Sequence, residues 1–534
     1  MNRKEIIHKN GVGSISSRKR KTNSLHYTLT VTFIICVLLV GSLSSAHVFT
    51  NQQNKLSIHH LTINLDCRNK EGTINHYGEI NCGPLPNHDV EHAALLTSQY
   101  KQTGIRFVRT HDFNGPTDLS TIFPNMNKDP TVASHYNFTL SDQYISSIID
   151  ANCDVFYRLG ESASVEEQLR NPPENMSKWA EICKHIIMHY NDGWADGYHY
   201  NITYFEIWNE PDLNGFWNGT TDEYFELYRV TAEKLKQYNP NLKIGGPCTS
   251  SIFNTNFTTR FLTFVKENQL PLDFYSWHMY DDTWYQLYNG SKQIRSLLDS
   301  FGFPDTENIN TEWNYDILAP QRDKDNAKNA AFTACALSAF QDAGIDYAFR
   351  YRGTGDNNWL TRFIGFDLSL FSTDGLFKTP ALSYLAFHYL TTDTPIRLQT
   401  SPPIDVKEKT TYLAGISEDN TNLSILLSNF DTKDSIYEIN IENLAWNSNY
   451  TIARYLIDEN HHLQKVNTTT SNTESIIIEN TLEKSSVQLI RLTNTSHLPA
   501  EGPKPAEIPP ILKIPIFDPL AKILGFLLMV LFFS

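Results

Sequence analysis

What the chain lacks narrows the field before any motif is read. Its seven cysteines form no C-x-x-C pair, and no histidine cluster has metal-ligand spacing, so neither a structural zinc site nor a bound metal is expected. No block of Lys and Arg follows the first 24 residues and the net charge is -15, which argues against nucleic acid as a partner. The first strand-like stretch is followed by Gly83-Pro84-Leu85-Pro86, not by the glycine-rich phosphate turn of a doubly wound nucleotide-binding sheet. No strand-like run ends in lysine, so a Schiff-base nucleophile is missing as well. No cofactor is expected.

The first segment present is a leader. Residues 1–24 are polar and basic, with Arg18-Lys19-Arg20-Lys21 the densest cluster, and 29–43 is an apolar run of signal-peptide length ending near the small residues Ser44-Ser45-Ala46. The basic lead suits equally an uncleaved anchor with the bulk of the chain outside. Either way the chain is expected to be secreted or extracytoplasmic, with a membrane as partner through this segment. Asn-x-Ser/Thr sequons at Asn137, Asn175, Asn201, Asn218, Asn256, Asn289, Asn422, Asn449, Asn467 and Asn494 agree with a glycoprotein. In an oxidising compartment Cys67 and Cys82 are the expected disulfide, whereas Cys153, Cys183 and Cys335 lie in apolar segments and read as buried thiols.

Beyond the leader (1–50), the texture divides the chain. Residues 51–74 hold a strand expected to join a later sheet. Residues 75–392 alternate strand-like runs (78–82, 105–110, 154–159, 204–208, 242–246, 272–279, 308–313 and 347–352) with amphipathic helical ones such as 141–151, 177–190, 221–237 and 326–343. Eight such units make a (β/α)8 TIM barrel. Residues 393–496 turn to short alternating strands, expected as an accessory β-sandwich. The last segment, 497–534, is a Pro-rich spacer and an apolar tail, 523–533, too short to span a bilayer as a helix but open to interfacial anchoring or to removal as a lipid-anchor signal.

The chemistry gathers at strand tips, which in a parallel barrel face the pocket. Phe205-Glu206-Ile207-Trp208-Asn209-Glu210-Pro211 is an aromatic and β-branched run broken by proline, which holds Glu210 among Trp208, Phe216 and Trp217. A carboxyl group in such surroundings has a raised pKa and can donate a proton. A second carboxylate, Glu312, ends the run before Trp313. His278 and Tyr280 lie two apart on one side of another strand, as do Arg109 and His111. Trp208, Trp277 and Trp313 offer apolar faces at the mouth, although a tryptophan at a strand end serves as often in packing. On the eighth strand Arg350 and Arg352 share a face, and the cost of burying two guanidinium groups against a helix without acidic partners sends at least one to the mouth, where it meets Glu312 or a substrate carboxylate; a structural ion pair with Asp346 or Asp356 is the alternative.

Trp208-Asn209-Glu210-Pro211, Thr311-Glu312-Trp313, Trp277-His278-Met279-Tyr280 and Phe107-Val108-Arg109-Thr110-His111 together resemble the motif set of glycoside hydrolase family 39, which contains β-xylosidases and α-L-iduronidases. The resemblance covers about residues 75–495. It implies a retaining hydrolase of oligosaccharide or polysaccharide glycosides, exo-acting on xylosides or uronides. By the same resemblance Glu210 is the acid/base, Glu312 the nucleophile, Asn209 the partner of the sugar 2-hydroxyl, and His278 or Tyr280 the group that positions the nucleophile. A non-catalytic glycan-binding or structural protein on the same fold is the competing class, and aryl glycoside hydrolysis separates the two.

Overall fold

The structure is a computed structural model that describes residues 59–495 apart from 86–93, 112–114, 163–166, 356–366, 406–408, 431–432, 434, 447–448 and 474. The basic leader, the apolar run 29–43 and the tail 497–534 lie outside the described residues. Among those described, no helix is long and apolar enough to cross a membrane.

A long strand, β1 (His59–Thr73), precedes the barrel. Eight parallel strands then close on themselves: β2 (Glu79–Asn81), β3 (Phe107–Arg109), β4 (Asp154–Leu159), β5 (Tyr204–Ile207), β6 (Lys243–Thr249), β7 (Phe274–Asp281), β8 (Glu307–Tyr315) and β9 (Tyr347–Arg350). Each lies within three residues, at either end, of the run expected from sequence. The period of two decides what fills the barrel. Phe107, Phe156, Phe274, Ile309 and Phe349 point inward and plug its N-terminal half, with Tyr204 and Tyr347 packed on them. Their neighbours Val108, Tyr157, Phe205, Tyr275 and Ala348 point outward into the main core. Two residues beyond the plug, Arg109, Arg158 and Glu206 form a buried charged layer, and the site stands on it.

The helices are set by local signals. Thr220 caps helix Thr221–Tyr238 through a reciprocal box, its hydroxyl accepting from the Glu223 N–H while the Glu223 carboxylate accepts from the Thr220 N–H. Helix Ala327–Phe340 is apolar almost all round, and it is buried almost all round, between the barrel and the second sheet.

That second sheet comprises β10 (Ile396–Ser401), β11 (Thr410–Ile416), β12 (Asn422–Asn429), β13 (Ser435–Glu442), β14 (Tyr450–Ile457), β15 (His462–Ser471), β16 (Ile476–Leu482) and β17 (Ser486–Asn494), with β1 inserted between β10 and β13. The two layers expected of a sandwich are one curled nine-stranded sheet, mostly antiparallel, with β1 and β13 its parallel pair. Tyr437 on β13 donates a 2.8 Å hydrogen bond to Gln488 on β17, five places away in strand order, which only a curled sheet permits.

The expected Cys67–Cys82 bridge is not formed. Cys67 is a free thiol buried among Ile63, Leu65 and Tyr412 in the curled sheet, whereas Cys82 stands at the barrel mouth, where its Sγ lies 3.1 Å from the His111 carbonyl. Alternation along β1 and closure of the barrel send the two side chains into different cores.

Candidate active site

Glu210 owes its position to a tight turn. After Ile207 the chain leaves β5 through Trp208 and Glu210, both in the left-handed region (φ 74° and 44°), a strained geometry for non-glycine residues that Pro211 then closes. The Glu210 N–H donates to the Cys248 carbonyl at 2.9 Å, which ties the turn to the tip of β6. Glu312 reaches the same mouth by a register shift. Strict alternation from the inward Ile309 would send Glu312 outward and Trp313 in, but the pairing of β8 with both neighbours slips by a residue, so that Glu312 comes to lie opposite His278.

The two carboxyl groups are joined by one imidazole. His278 Nδ1 is 2.7 Å from Glu210 Oε1 and 3.6 Å from Glu312 Oε2, and one oxygen of each glutamate and that ring nitrogen all lie within 4.8 Å of one another. Such spacing would also admit a cation, but the Arg109 guanidinium, 3.0 Å from Glu312 Oε1, supplies positive charge there. Tyr280 donates to the other Glu312 oxygen at 2.7 Å. Arg109 is fully buried and is held by Glu206 Oε2 at 2.7 Å, Asn81 Oδ1 at 3.0 Å and Asn209 Oδ1 at 2.8 Å. His111 Nε2 lies 3.7 Å from Glu312 Oε1.

These surroundings treat the glutamates unequally. Burial pushes Glu210 up to about 8, and the nearby Asp212 carboxylate adds to the rise. Burial and the neighbouring Glu210 also raise Glu312, but the Arg109 charge and the Tyr280 hydroxyl oppose that rise. Burial and the Arg109 charge hold His111 well below the usual histidine range, and burial brings His278 down to about 4, so both rings are neutral at pH 7.

The amide of Asn209 is oriented by Arg109, which takes its oxygen and leaves buried Nδ2 as a donor with no protein partner. That is the group needed to meet a sugar hydroxyl. The three tryptophans do not serve as sugar platforms. Trp208 packs on Trp217 (5.0 Å) and Trp179, and its Nε1 donates to Phe216 O at 3.1 Å. Trp277 donates to Asn308, and Trp313 to Ala348 O while packing on Phe340. All three are at most 2% exposed: in β7 and β8 the inward places belong to His278 and Glu312, so the adjacent indoles face the helices.

The two arginines of the eighth strand part company. Arg350 points outward and is buried at 1% exposure without a carboxylate, its guanidinium bonded to Thr333 Oγ1 and Asn329 Oδ1 and lying 5.3 Å from the Trp313 ring centroid. Burial pushes it down to about 10, still charged at neutral pH, so hydroxyl, amide and indole suffice to hold it. Arg352 lies beyond the end of β9, where its backbone pairs with Leu368 and Leu370, and its charge reaches His111 and Asp367. Sequence reasoning missed Asn81, Glu206 and Cys248. The first two were within reach, since alternation along Glu79–Asn81 and Tyr204–Glu206 points them inward.

The sequence model of glycosyl hydrolases family 39 matches residues 62–357. A β-xylosidase of Geobacillus stearothermophilus is 29% identical over 285 residues, 48% of this chain and 55% of the relative. An α-L-iduronidase of Mus musculus is 26% identical over 182 residues, 31% of this chain and 27% of the relative. The chain thus spans about half or less of the length of these curated relatives. Among solved structures, a glucosidase from Croceicoccus marinus superposes with a TM-score of 0.71 at 23% identity, covering 82% of this chain and 99% of that one. A monomeric β-xylosidase from Caulobacter crescentus does so with 0.64 at 18% identity, covering 82% and 100%. At these identities the structural likeness concerns the fold.

Proposed function

The chain belongs to glycosyl hydrolases family 39, and on that premise we propose that it hydrolyses O-glycosidic bonds with retention of configuration, Glu210 serving as acid/base and Glu312 as nucleophile. The observation that carries this reading is the unequal pair bridged by His278. A glycosidic bond breaks through an oxocarbenium-like state, which needs a proton on the leaving oxygen and a negative charge at the anomeric carbon. Glu210 supplies the first, and Glu312, steadied by Arg109 and Tyr280, the second. The approach of their oxygens to within 4.8 Å fits direct attack by Glu312, because inverting enzymes hold the two carboxyls about 6.5–9.5 Å apart to admit a water. Once Glu312 is an ester its charge is gone, the pKa of Glu210 falls, and Glu210 can take the proton of the incoming water.

The substrates are xylosides or uronides, cleaved from chain ends, in line with the names of the relatives. Arg352, whose charge is felt at His111 as well as at Asp367, favours the uronide, because a guanidinium fork suits a substrate carboxylate. We also propose export: among the ten sequon asparagines, all but Asn422 and Asn494 are exposed. The deciding experiment is a panel of aryl glycosides with NMR of the first-formed sugar. Retention is expected, with α-L-iduronide cleaved better than the matching xyloside and that preference lost in Arg352→Ala. An inverted product would end the mechanism, and a clear preference for xylosides would leave an ordinary exo-acting xylosidase.

A further inference from the structure

Cys248 closes β6 and has no part in the chemistry so far. Its backbone is left-handed (φ 58°), its carbonyl holds the Glu210 N–H, and its fully buried thiol lies 3.0 Å from His278 Nε2, 3.1 Å from Arg109 Nη2 and 3.4 Å from Asn209 Oδ1. It therefore touches the acid's turn through its backbone and the ring behind the acid through its side chain.

The proton count on His278 gives this contact its meaning. Nδ1 lies 2.7 Å from Oε1 of Glu210, which can carry its own proton on Oε2, and 3.6 Å from the Glu312 carboxylate, so a hydrogen on Nδ1 meets an acceptor on both glutamates. The ring is neutral, so it has only that one. Nε2 is then a lone pair and needs a donor. Arg109 cannot serve, because its Nη2 is directed at Asn209 Oδ1, Glu206 and the Cys248 sulfur. The thiol can: burial raises it well above its ordinary range, so it keeps its hydrogen, and Nε2 is its nearest acceptor.

We propose that Cys248 is a positioning residue for the acid step: its S–H donates to His278 Nε2 and fixes the tautomer with hydrogen on Nδ1, so that Glu210 accepts on Oε1 and presents its own proton on Oε2 to the leaving group. The proposal rests on Glu210 being the acid. In the opposite tautomer Nδ1 would be a lone pair, and it would draw the Glu210 proton onto Oε1, away from the glycosidic oxygen. The other charged or titratable groups facing Glu210 are Asp212 on its own loop, Arg109 on β3, Tyr280 on β7 and Glu312 on β8, with Glu206 beneath Arg109. Among the described residues, the Cys248 thiol is the group within hydrogen-bond reach of Nε2.

The test compares Cys248→Ala and Cys248→Ser with the parent on aryl glycosides of graded leaving-group acidity, with kcat/KM measured across pH. For Cys248→Ala a loss of about tenfold or more is expected on poor leaving groups, with a much smaller loss on dinitrophenyl glycosides and an upward move of the alkaline limb. Cys248→Ser, which still offers a donor, should recover most of the loss. An equal loss on all leaving groups with an unmoved limb would make Cys248 a packing residue and overturn the proposal. The ring nitrogens of 15N-histidine-labelled parent protein give a readout that needs no variant: hydrogen on Nδ1 of His278 supports the proposal, and hydrogen on Nε2 overturns it. A parent that cleaves no glycoside would sink the glycosidase reading, and the ring signal would still decide the tautomer.

Discussion

Replacing Glu210 with alanine tests the division of labour most directly. Its carboxyl is raised from 4.5 to about 8, a preference for the protonated form of about 5 kcal/mol at 1.36 kcal/mol per pH unit. At pH 6 an ordinary glutamate is protonated in about 3 molecules in 100, whereas Glu210 is protonated in about 99. The enzyme should thus be armed across the neutral range and lose activity as pH rises past about 8. In Glu210→Ala, kcat/KM on glycosides with poor leaving groups should fall by about 10²- to 10⁴-fold, and the alkaline limb should vanish with it. A dinitrophenyl leaving group needs no proton, so its glycosylation step should survive and turnover should stall at the ester. Azide, which needs no base, should then restore turnover and release a glycosyl azide of retained configuration. Steady-state kinetics across pH and NMR of the azide product provide the assay. The reasoning fails if the loss is the same on all leaving groups, or if a limb near pH 8 persists in the variant.

Tyr280→Phe removes a buried hydrogen bond to the Glu312 carboxylate, worth about 1.5–3 kcal/mol, so kcat/KM should drop by about 10- to 150-fold on every leaving group; a selective loss on poor leaving groups would move Tyr280 to the acid side. Glu79, 1% exposed at the opposite end of the barrel, is raised by burial to about 7, so its contribution to stability is fully present below pH 4.5 and is lost as pH rises through 7. Glu79→Gln should therefore raise Tm at pH 8, with up to about 3 kcal/mol available, and bring no comparable gain at pH 4.5; a gain independent of pH would contradict the assignment. In a glycosylating host, glycopeptide mass spectrometry should find sugar on exposed sequons such as Asn137, Asn218 and Asn467 and none on Asn494, which is buried in the curled sheet; bare asparagines throughout would count against export.

The barrel and both glutamates were legible because local chemistry and global position coincide there: a β-branched or aromatic run says strand, a proline or a turn says tip, and in a parallel barrel the tip is the site. Direction was harder. Trp313 was expected at the mouth because it adjoins Glu312, yet the register shift that brings Glu312 in turns Trp313 out, and such a shift depends on pairing with two other strands. Cys248 carried no signal, since its meaning comes from His278 on a neighbouring strand. The sandwich was recognisable as short alternating strands, but whether those strands make two sheets or one that curls depends on long-range partners such as β1 with β13.

The two arginines expose a limit of cost arguments made from sequence. A guanidinium was expected to avoid burial without a carboxylate, and Arg350 is buried without one, because planarity lets it lie over Trp313 while Thr333 and Asn329 accept its hydrogens. Arg109 is the opposite case, surrounded by Glu206, Glu312, Asn81 and Asn209, and its guanidinium, 3.0 Å from Glu312 Oε1, opposes the rise that burial gives that carboxyl. Beneath the site, Glu206 anchors that charge from below, and the aromatic plug excludes water from under Glu206. The positive charge that faces Glu312 at the mouth is thus seated deeper in the barrel, where alternation along β3 and β5 lays an arginine and a glutamate side by side.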